Sequence, residues 1–205
     1  MAYRVREIFA SIQGEGIQAG RVAVFLRFAG CNLWSGREED RATARCRFCD
    51  TDFVGGDRHD DAEALAAAVT AAWPGGADGR LVVVTGGEPA LQLDPPLLAA
   101  LHRAGFFVAI ETNGTLPLPD GIDWVCVSPK AGTTLAVIRG DELKLVHPQP
   151  GLDPAGLEGL AFTHFLLQPL DGPERAANRA AALAYCFDHP RWRLGLQLHK
   201  VLGLR

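Results

Sequence analysis

Short apolar strands alternating with alanine- and leucine-rich helices predict an α/β fold, a parallel sheet covered by helices and curled into a partial, abbreviated α/β barrel. Three observations carry this prediction. Strands recur as continuous apolar runs, such as "VAVFLRF" (22–28), "LVVV" (81–84), "FFVAI" (106–110) and "WVCV" (124–127). Between several of them lie stretches at helical spacing, 61–73, 95–104 and 173–187. Each strand then ends in a polar cluster, and in parallel α/β folds the carboxyl ends of the strands form the ligand-binding edge.

The strands follow in order. "VAVFLRF" ends in Gly30-Cys31-Asn32 and "LVVV" in Thr85-Gly86-Gly87-Glu88-Pro89. "FFVAI" ends in Glu111-Thr112-Asn113-Gly114, and "WVCV" in Ser128-Pro129-Lys130. "ELKLV" (142–146) carries Lys144 within it, "FLL" (165–167) ends in Gln168-Pro169, and "WRLGLQL" (192–198) is expected to be a last strand ending in His199-Lys200. Region 114–141 is too short and broken for full helices, so some crossovers should be loops. Loops are polar everywhere, which explains any one cluster. It does not explain cysteines, acids, lysines and a histidine gathered on one edge.

Composition narrows the class. The 205 residues allow one domain, 1–205, with a substantial core, and no linker, repeat or low-complexity block divides them. A net charge of −4 gives no reason to expect nucleic-acid binding. No apolar run approaches the roughly 20 residues of a membrane span, and "MAYRVREIF" lacks the apolar core of a signal peptide, so the cytoplasm is the expected compartment. Five cysteines are too few for a disulfide scaffold. Cys126 and Cys186 lie in apolar segments and are expected to be buried, inert thiols.

Cys31, Cys46 and Cys49 remain, the last two a C-x-x-C pair with fourteen residues separating it from the first. A structural zinc site needs a fourth ligand, for which His59 is the nearest candidate. A thioredoxin-like pair should open a helix, but Gly55 and Gly56 break the run after "CRFCDTDF". A 4Fe–4S cluster held by three thiolates would leave one iron open to a substrate or cofactor. "TGGEP" (85–89) then offers close backbone approach at its glycines and, in Glu88, a carboxylate expected at the rim to accept from an ammonium group.

A three-cysteine loop after one strand and "GGE" after the next resemble the radical S-adenosylmethionine (SAM) enzymes. "SIQGEG" (11–16), "FLRFAGCNL" (25–33), "CRFCDT" (46–51), "TGGEPALQ" (85–92), "ETNGT" (111–115), "SPK" (128–130), "ELK" (142–144), "LQP" (167–169) and "LQLHKVLGL" (196–204) together resemble the 7-carboxy-7-deazaguanine synthase family within it. The resemblance implies a partial barrel of the radical SAM type. It also implies a carbon–nitrogen lyase that contracts the ring of 6-carboxy-5,6,7,8-tetrahydropterin with loss of ammonia, on the route to queuosine. The implied cofactors are a 4Fe–4S cluster, SAM and Mg²⁺. The implied partners are a flavodoxin- or ferredoxin-like electron donor and a second copy of the chain, with no nucleic acid and no membrane.

The same resemblance assigns roles. Cys31, Cys46 and Cys49 would hold the cluster and Thr51 the Mg²⁺. Phe48, Cys49, Asp50, Gly87, Glu88, Ser128, Pro129, Lys130 and Gln168 would contact SAM. Ile12, Gln13, Gly14, Glu15, Arg27, Thr85 and His199 would contact the pterin. Independent chemistry supports some of these. A magnesium ion prefers hard oxygens and keeps waters or substrate oxygens. Arg27 inside an apolar strand would be costly unless paired, and a guanidinium grips a carboxylate bidentately. Each also has a plainer reading: a turn threonine for Thr51, a salt bridge for Arg27, a satisfied structural residue for His199. Family members commonly space the three cysteines C-x3-C-x2-C. The longer "NLWSGREEDRATAR" here reads as a polar surface excursion. Two other functions remain open from sequence: a radical SAM activase acting on a protein, and a zinc-stabilised interaction module.

Overall fold

The computed structural model describes residues 2–204. Its strands form one nine-stranded sheet in the order β3-β1-β2-β4-β5-β6-β7-β8-β9. From β2 (Val22–Phe28) the chain passes through β4 (Leu81–Gly86), β5 (Phe107–Thr112), β6 (Trp124–Val127), β7 (Arg139–His147), β8 (Ala161–Pro169) and β9 (Trp192–Leu194), each parallel to the one before. Strictly sequential parallel order is the winding of an α/β barrel. Here it stays open, because the described edges β3 and β9 do not pair. No described helix is long and apolar enough to cross a membrane.

Two strands depart from the parallel expectation. β1 (Tyr3–Ile12) and β3 (Asp57–His59) add antiparallel to the β2 edge. A register shift between Val5 and Glu7 breaks the alternation of β1, so its sequence lacks the clean pattern of a strand. The chain end also differs. β9 stops at Leu194, and His199 and Lys200 fall on a short helix, α4 (Leu198–Leu202), not at a strand end. The Leu198 N–H donates to the Gly14 carbonyl at 2.7 Å, which docks this helix on the "SIQGEG" loop. As expected, β5–β6 and β6–β7 are joined by loops.

The period-two alternation of the strands sets the two faces. Val24, Leu26, Val82, Val84, Val108 and Ile110 point outward into a core completed by Leu65 and Val69 of α1 (Ala62–Ala72) and by Leu97 and Leu101 of α2 (Pro95–Arg103). Burying such a side chain stabilises the fold by about 1.5–3 kcal/mol. Both helices start at aspartate caps: Asp61 accepts from the Ala64 N–H at 2.8 Å and Asp94 from the Leu97 N–H at 3.0 Å. The Tyr3 hydroxyl also donates to Asp94, at 2.6 Å, and joins β1 to α2. α3 (Arg175–Asp188) covers the far end through Ala182, against Phe165 and Trp192. Cys126 is buried as expected, whereas Cys186 is only half-buried on α3.

The opposite parity faces inward. Near the strand starts it is apolar, with Ala23, Leu81, Val83 and Ala109 packed together. Toward the carboxyl ends the same parity brings up Arg27, Thr85, Glu111, Lys144, Val146 and Gln168, which line one cavity. Register places Arg27 beside Thr85 and Val146 beside Gln168.

Candidate active site

The cavity has a volume of about 500 Å³, within the range of small-molecule sites. It collects every residue to which sequence assigned a role except Glu88 and Pro129. Cys31 arrives on the end of β2, and Cys46 and Cys49 on the loop before β3. No helix follows Cys49, so the pair lacks the setting of a thioredoxin-like couple. Among the described residues, no three histidine, cysteine or acidic side chains converge as ligands of a single ion. Three thiolates on a 4Fe–4S cluster each bind a different iron and need no such convergence. The Cys46 thiol hydrogen-bonds to Cys49 and holds its sulfur near pKa 6, a thiolate-favouring arrangement aided by the Lys130 charge. The same bond and burial push Cys46 up, and burial raises Cys31.

Gly87 supplies the close approach that the glycines suggested. A β-carbon there would overlap the Gly30 carbonyl oxygen and lie 2.8 Å from the Cys31 β-carbon. Only glycine lets the β4 turn lie against the first cysteine. Glu88 behaves otherwise than expected. It is fully buried, not at the rim, and its carboxylate accepts from the Thr112 hydroxyl at 2.6 Å, the Asn113 N–H at 2.8 Å and the Ala90 N–H at 2.9 Å. A helix N-cap and the β5 turn together occupy both oxygens. Burial raises its pKa despite these donors. Pro129 is buried behind Ser128, and its carbonyl accepts from the Gln149 side chain at 3.2 Å.

Lys130 is held under the cysteine loop by the Ser128 carbonyl at 2.7 Å and hydroxyl at 2.8 Å, with its ammonium 5.8 Å from the Phe48 ring. Burial lowers its pKa. Gln168 is 5% exposed, and its Oε1 is a buried acceptor with no partner. Buried polar atoms are nearly always satisfied, so an acceptor of this kind on a cavity wall marks a ligand position. The three thiols, the glycine cradle, the buried cation and this orphan acceptor fit a cluster with a zwitterionic ligand.

The floor holds a network that the sequence did not reveal. Lys144, 4% exposed, donates to Glu15 at 2.6 Å and Glu111 at 2.7 Å. The Gln13 amide donates to Glu111 and the Gln197 amide to Glu15, each at 2.8 Å. Burial alone would raise the Glu15 carboxyl, but Lys144 and Gln197 override it and bring it to about 2. Lys144 is in turn raised well above its ordinary value: burial opposes its charge, and the two carboxylates prevail. The cluster of one cation and two anions is net negative and lines the cavity with acceptors. The sequence shows Lys144 as a charge within a strand and Glu111 in a strand-end cluster, and Gln197 only as a member of "LQLHK", with no role for any of them; inward strand parity is the signal that marks the first two.

Arg27 combines both of its readings. Its Nε donates to Glu7 at 2.8 Å, an ion pair, while the residue also lines the cavity. Thr51 stands where this cavity meets a second one of about 350 Å³, shared with Arg27, Asp50, His199 and Lys200. The acids flanking Thr51 are engaged elsewhere: Asp50 pairs with Lys200 at 2.9 Å and Asp52 with Arg6.

An open parallel barrel with three thiols at its carboxyl rim defines a radical SAM enzyme, and residues 40–139 match the radical SAM superfamily. Membership implies a 4Fe–4S cluster and SAM. Over its full length the chain is 60% identical to the 7-carboxy-7-deazaguanine synthase of Bordetella pertussis and 43% identical to that of Bacteroides thetaiotaomicron, covering each entirely. It superposes on the crystal structure of QueE from Escherichia coli with a TM-score of 0.73 and 27% identity, over 97% of this chain and 95% of that one. The chain belongs to the 7-carboxy-7-deazaguanine synthase family.

Proposed function

We propose that this chain converts 6-carboxy-5,6,7,8-tetrahydropterin to 7-carboxy-7-deazaguanine, a ring contraction that releases ammonia, in queuosine and deazapurine biosynthesis. The observation that carries this reading is the joining, in one cavity, of a three-thiol rim to an acceptor-rich floor. When bound, the reduced cluster and SAM supply a 5′-deoxyadenosyl radical able to abstract hydrogen from the pterin. The chain's residues position the target and keep water out. Cys31, Cys46 and Cys49 would hold the cluster. Lys130 and Gln168 receive the carboxylate and a donor of SAM, Phe48 packs by its adenine, and Gly87 lets the methionine end approach the backbone. Ser128, Pro129 and Asp50 shape the same pocket. Glu88 acts from beneath, by fixing the Gly87 turn.

Glu15 and Gln13, with Ile12 and Gly14, receive the donor-rich pyrimidine edge of the pterin. Arg27 meets its carboxylate, with Thr85 and His199 closing the sides. Ionised Glu15 suits this task because a carboxylate accepts at both oxygens. Thr51 would offer its hydroxyl to Mg²⁺, a hard ion that prefers oxygen ligands and would help orient the substrate. Replacing Thr51 with alanine is expected to raise the half-saturating Mg²⁺ concentration by about tenfold or more. An unchanged Mg²⁺ titration would remove Thr51 from the metal site. A single-domain homodimer in the cytoplasm, reduced by a flavodoxin- or ferredoxin-like protein, completes the reading. Iron and sulfide analysis of anaerobically purified protein tests its first half: four of each per chain are expected, and stoichiometric zinc would overturn it.

A further inference from the structure

The fourteen-residue segment between Cys31 and Cys46 has no part in the reading above. It is more than a surface excursion. Leu33 and Trp34 are buried at its start, and the Leu33 carbonyl accepts from the N–H groups of Arg45 at 3.1 Å and Cys46 at 3.4 Å, so its ends are tied together. Residues Glu38–Thr43 form a 3₁₀ helix, which places Arg41 over the Trp34 ring, 4.1 Å from its centroid. From there the Arg41 guanidinium donates to the backbone carbonyls of Arg47 at 2.9 Å and Cys49 at 3.1 Å. Both Glu38 oxygens accept from its Nε at 2.8 Å and fix the guanidinium plane. Trp34 packs edge-on against Phe53, with ring centroids 5.6 Å apart.

We infer that Arg41 is a positioning residue for the iron–sulfur cluster, clamping the C-x-x-C turn through its Arg47 and Cys49 carbonyls and making the segment the brace of the cluster loop. This rests on the radical SAM reading. Two carbonyls held by one planar guanidinium fix the Arg47–Phe48 and Cys49–Asp50 peptide planes, and with them the course of the C-x-x-C turn that carries the Cys46 and Cys49 thiolates. No helix or strand runs through residues 44–53 to do this otherwise. Arg41 uses Nη1 for both carbonyls and Nε for Glu38; lysine has one nitrogen for all three partners and no plane to stack on indole.

The test follows iron loss from the reconstituted protein to a ferrous chelator, under anaerobic conditions, for wild type, Arg41→Gln, Arg41→Lys and Glu38→Gln. Arg41→Gln is expected to release iron on the order of tenfold faster, Arg41→Lys nearly as fast, and Glu38→Gln only a few-fold faster. Thermal unfolding of the cluster-free proteins should be alike, since the brace serves the cluster loop and not the sheet. Equal release by wild type and all variants would overturn the clamp, as would a loss of cluster-free stability that accounts for faster release. Glu38→Gln alters one exposed carboxylate and keeps the test open if Arg41→Gln does not fold. Wild type that takes up no cluster would instead overturn the radical SAM reading, a different result.

Discussion

Lys144→Met is expected to cost about 3–5 kcal/mol of stability, the penalty of orphaning a buried charge, and to weaken pterin binding more than turnover. The ammonium alone neutralises two carboxylates on the cavity floor, and its removal leaves Glu15 and Glu111 facing each other. At this chain length that is a fall in melting temperature of about 10 °C. The pH dependence should invert. In the wild type Glu15 is depressed from 4.5 to about 2, so its contribution is present above pH 4.5 and is lost as pH falls through about 2. Lys144, raised, contributes below its ordinary value of 10.5 and loses that only above it. Without Lys144, burial pushes the Glu15 carboxyl up, and the variant should gain relative stability on mild acidification. The other charged or titratable groups felt at this floor, Cys126, Glu142, Lys130 and His199, are unchanged by the substitution. Adding Glu15→Gln should recover part of the loss, because one orphaned charge is removed with its partner. Chemical denaturation across pH checks the stability, and KM measured apart from kcat checks the binding. A variant as stable as wild type with unaltered KM would show that the network is not what holds the floor.

Gly87→Ala is expected to lower cluster occupancy several-fold and to destabilise the protein by about 1–3 kcal/mol. The added carbon meets backbone at Gly30 and the Cys31 β-carbon, neither of which is the free end of a flexible chain. The β4 turn must retreat from β2 or push Cys31 out of line with the other two thiols. Gly76 has open space and no left-handed backbone, so Gly76→Ala should be neutral or slightly stabilising. Iron per chain after reconstitution, with melting curves for both variants, decides it. Full occupancy in Gly87→Ala would contradict the close approach.

These two sites differ in how far sequence could disclose them. Gly87 was readable because a glycine pair after an apolar strand, next to a cysteine-bearing loop, already implies backbone proximity. β2 and β6 occur over the residues that their apolar runs marked, for the same reason: buried parallel strands need no alternation. Lys144 was visible as a charge inside a strand, but its partners lie 129 and 33 residues away, and only the winding of the sheet unites them. Glu88 was misread because "GGE" does not disclose that a capped 3₁₀ turn and the β5 end would claim both oxygens. β1 was hidden by its bulge, and α4 by leucines at 196, 198, 202 and 204 that suit a strand or a helix equally. The 32–45 segment is polar, so composition placed it outside the fold; Trp34 under Arg41 gives it a place within.

The most direct measurement is product formation under anaerobic conditions with reductant, SAM, Mg²⁺ and 6-carboxy-5,6,7,8-tetrahydropterin. The account predicts 7-carboxy-7-deazaguanine and ammonia, with little formation of either when the pterin or Mg²⁺ is omitted. SAM cleavage by protein with a full cluster, but no deazaguanine from the carboxypterin, would contradict it.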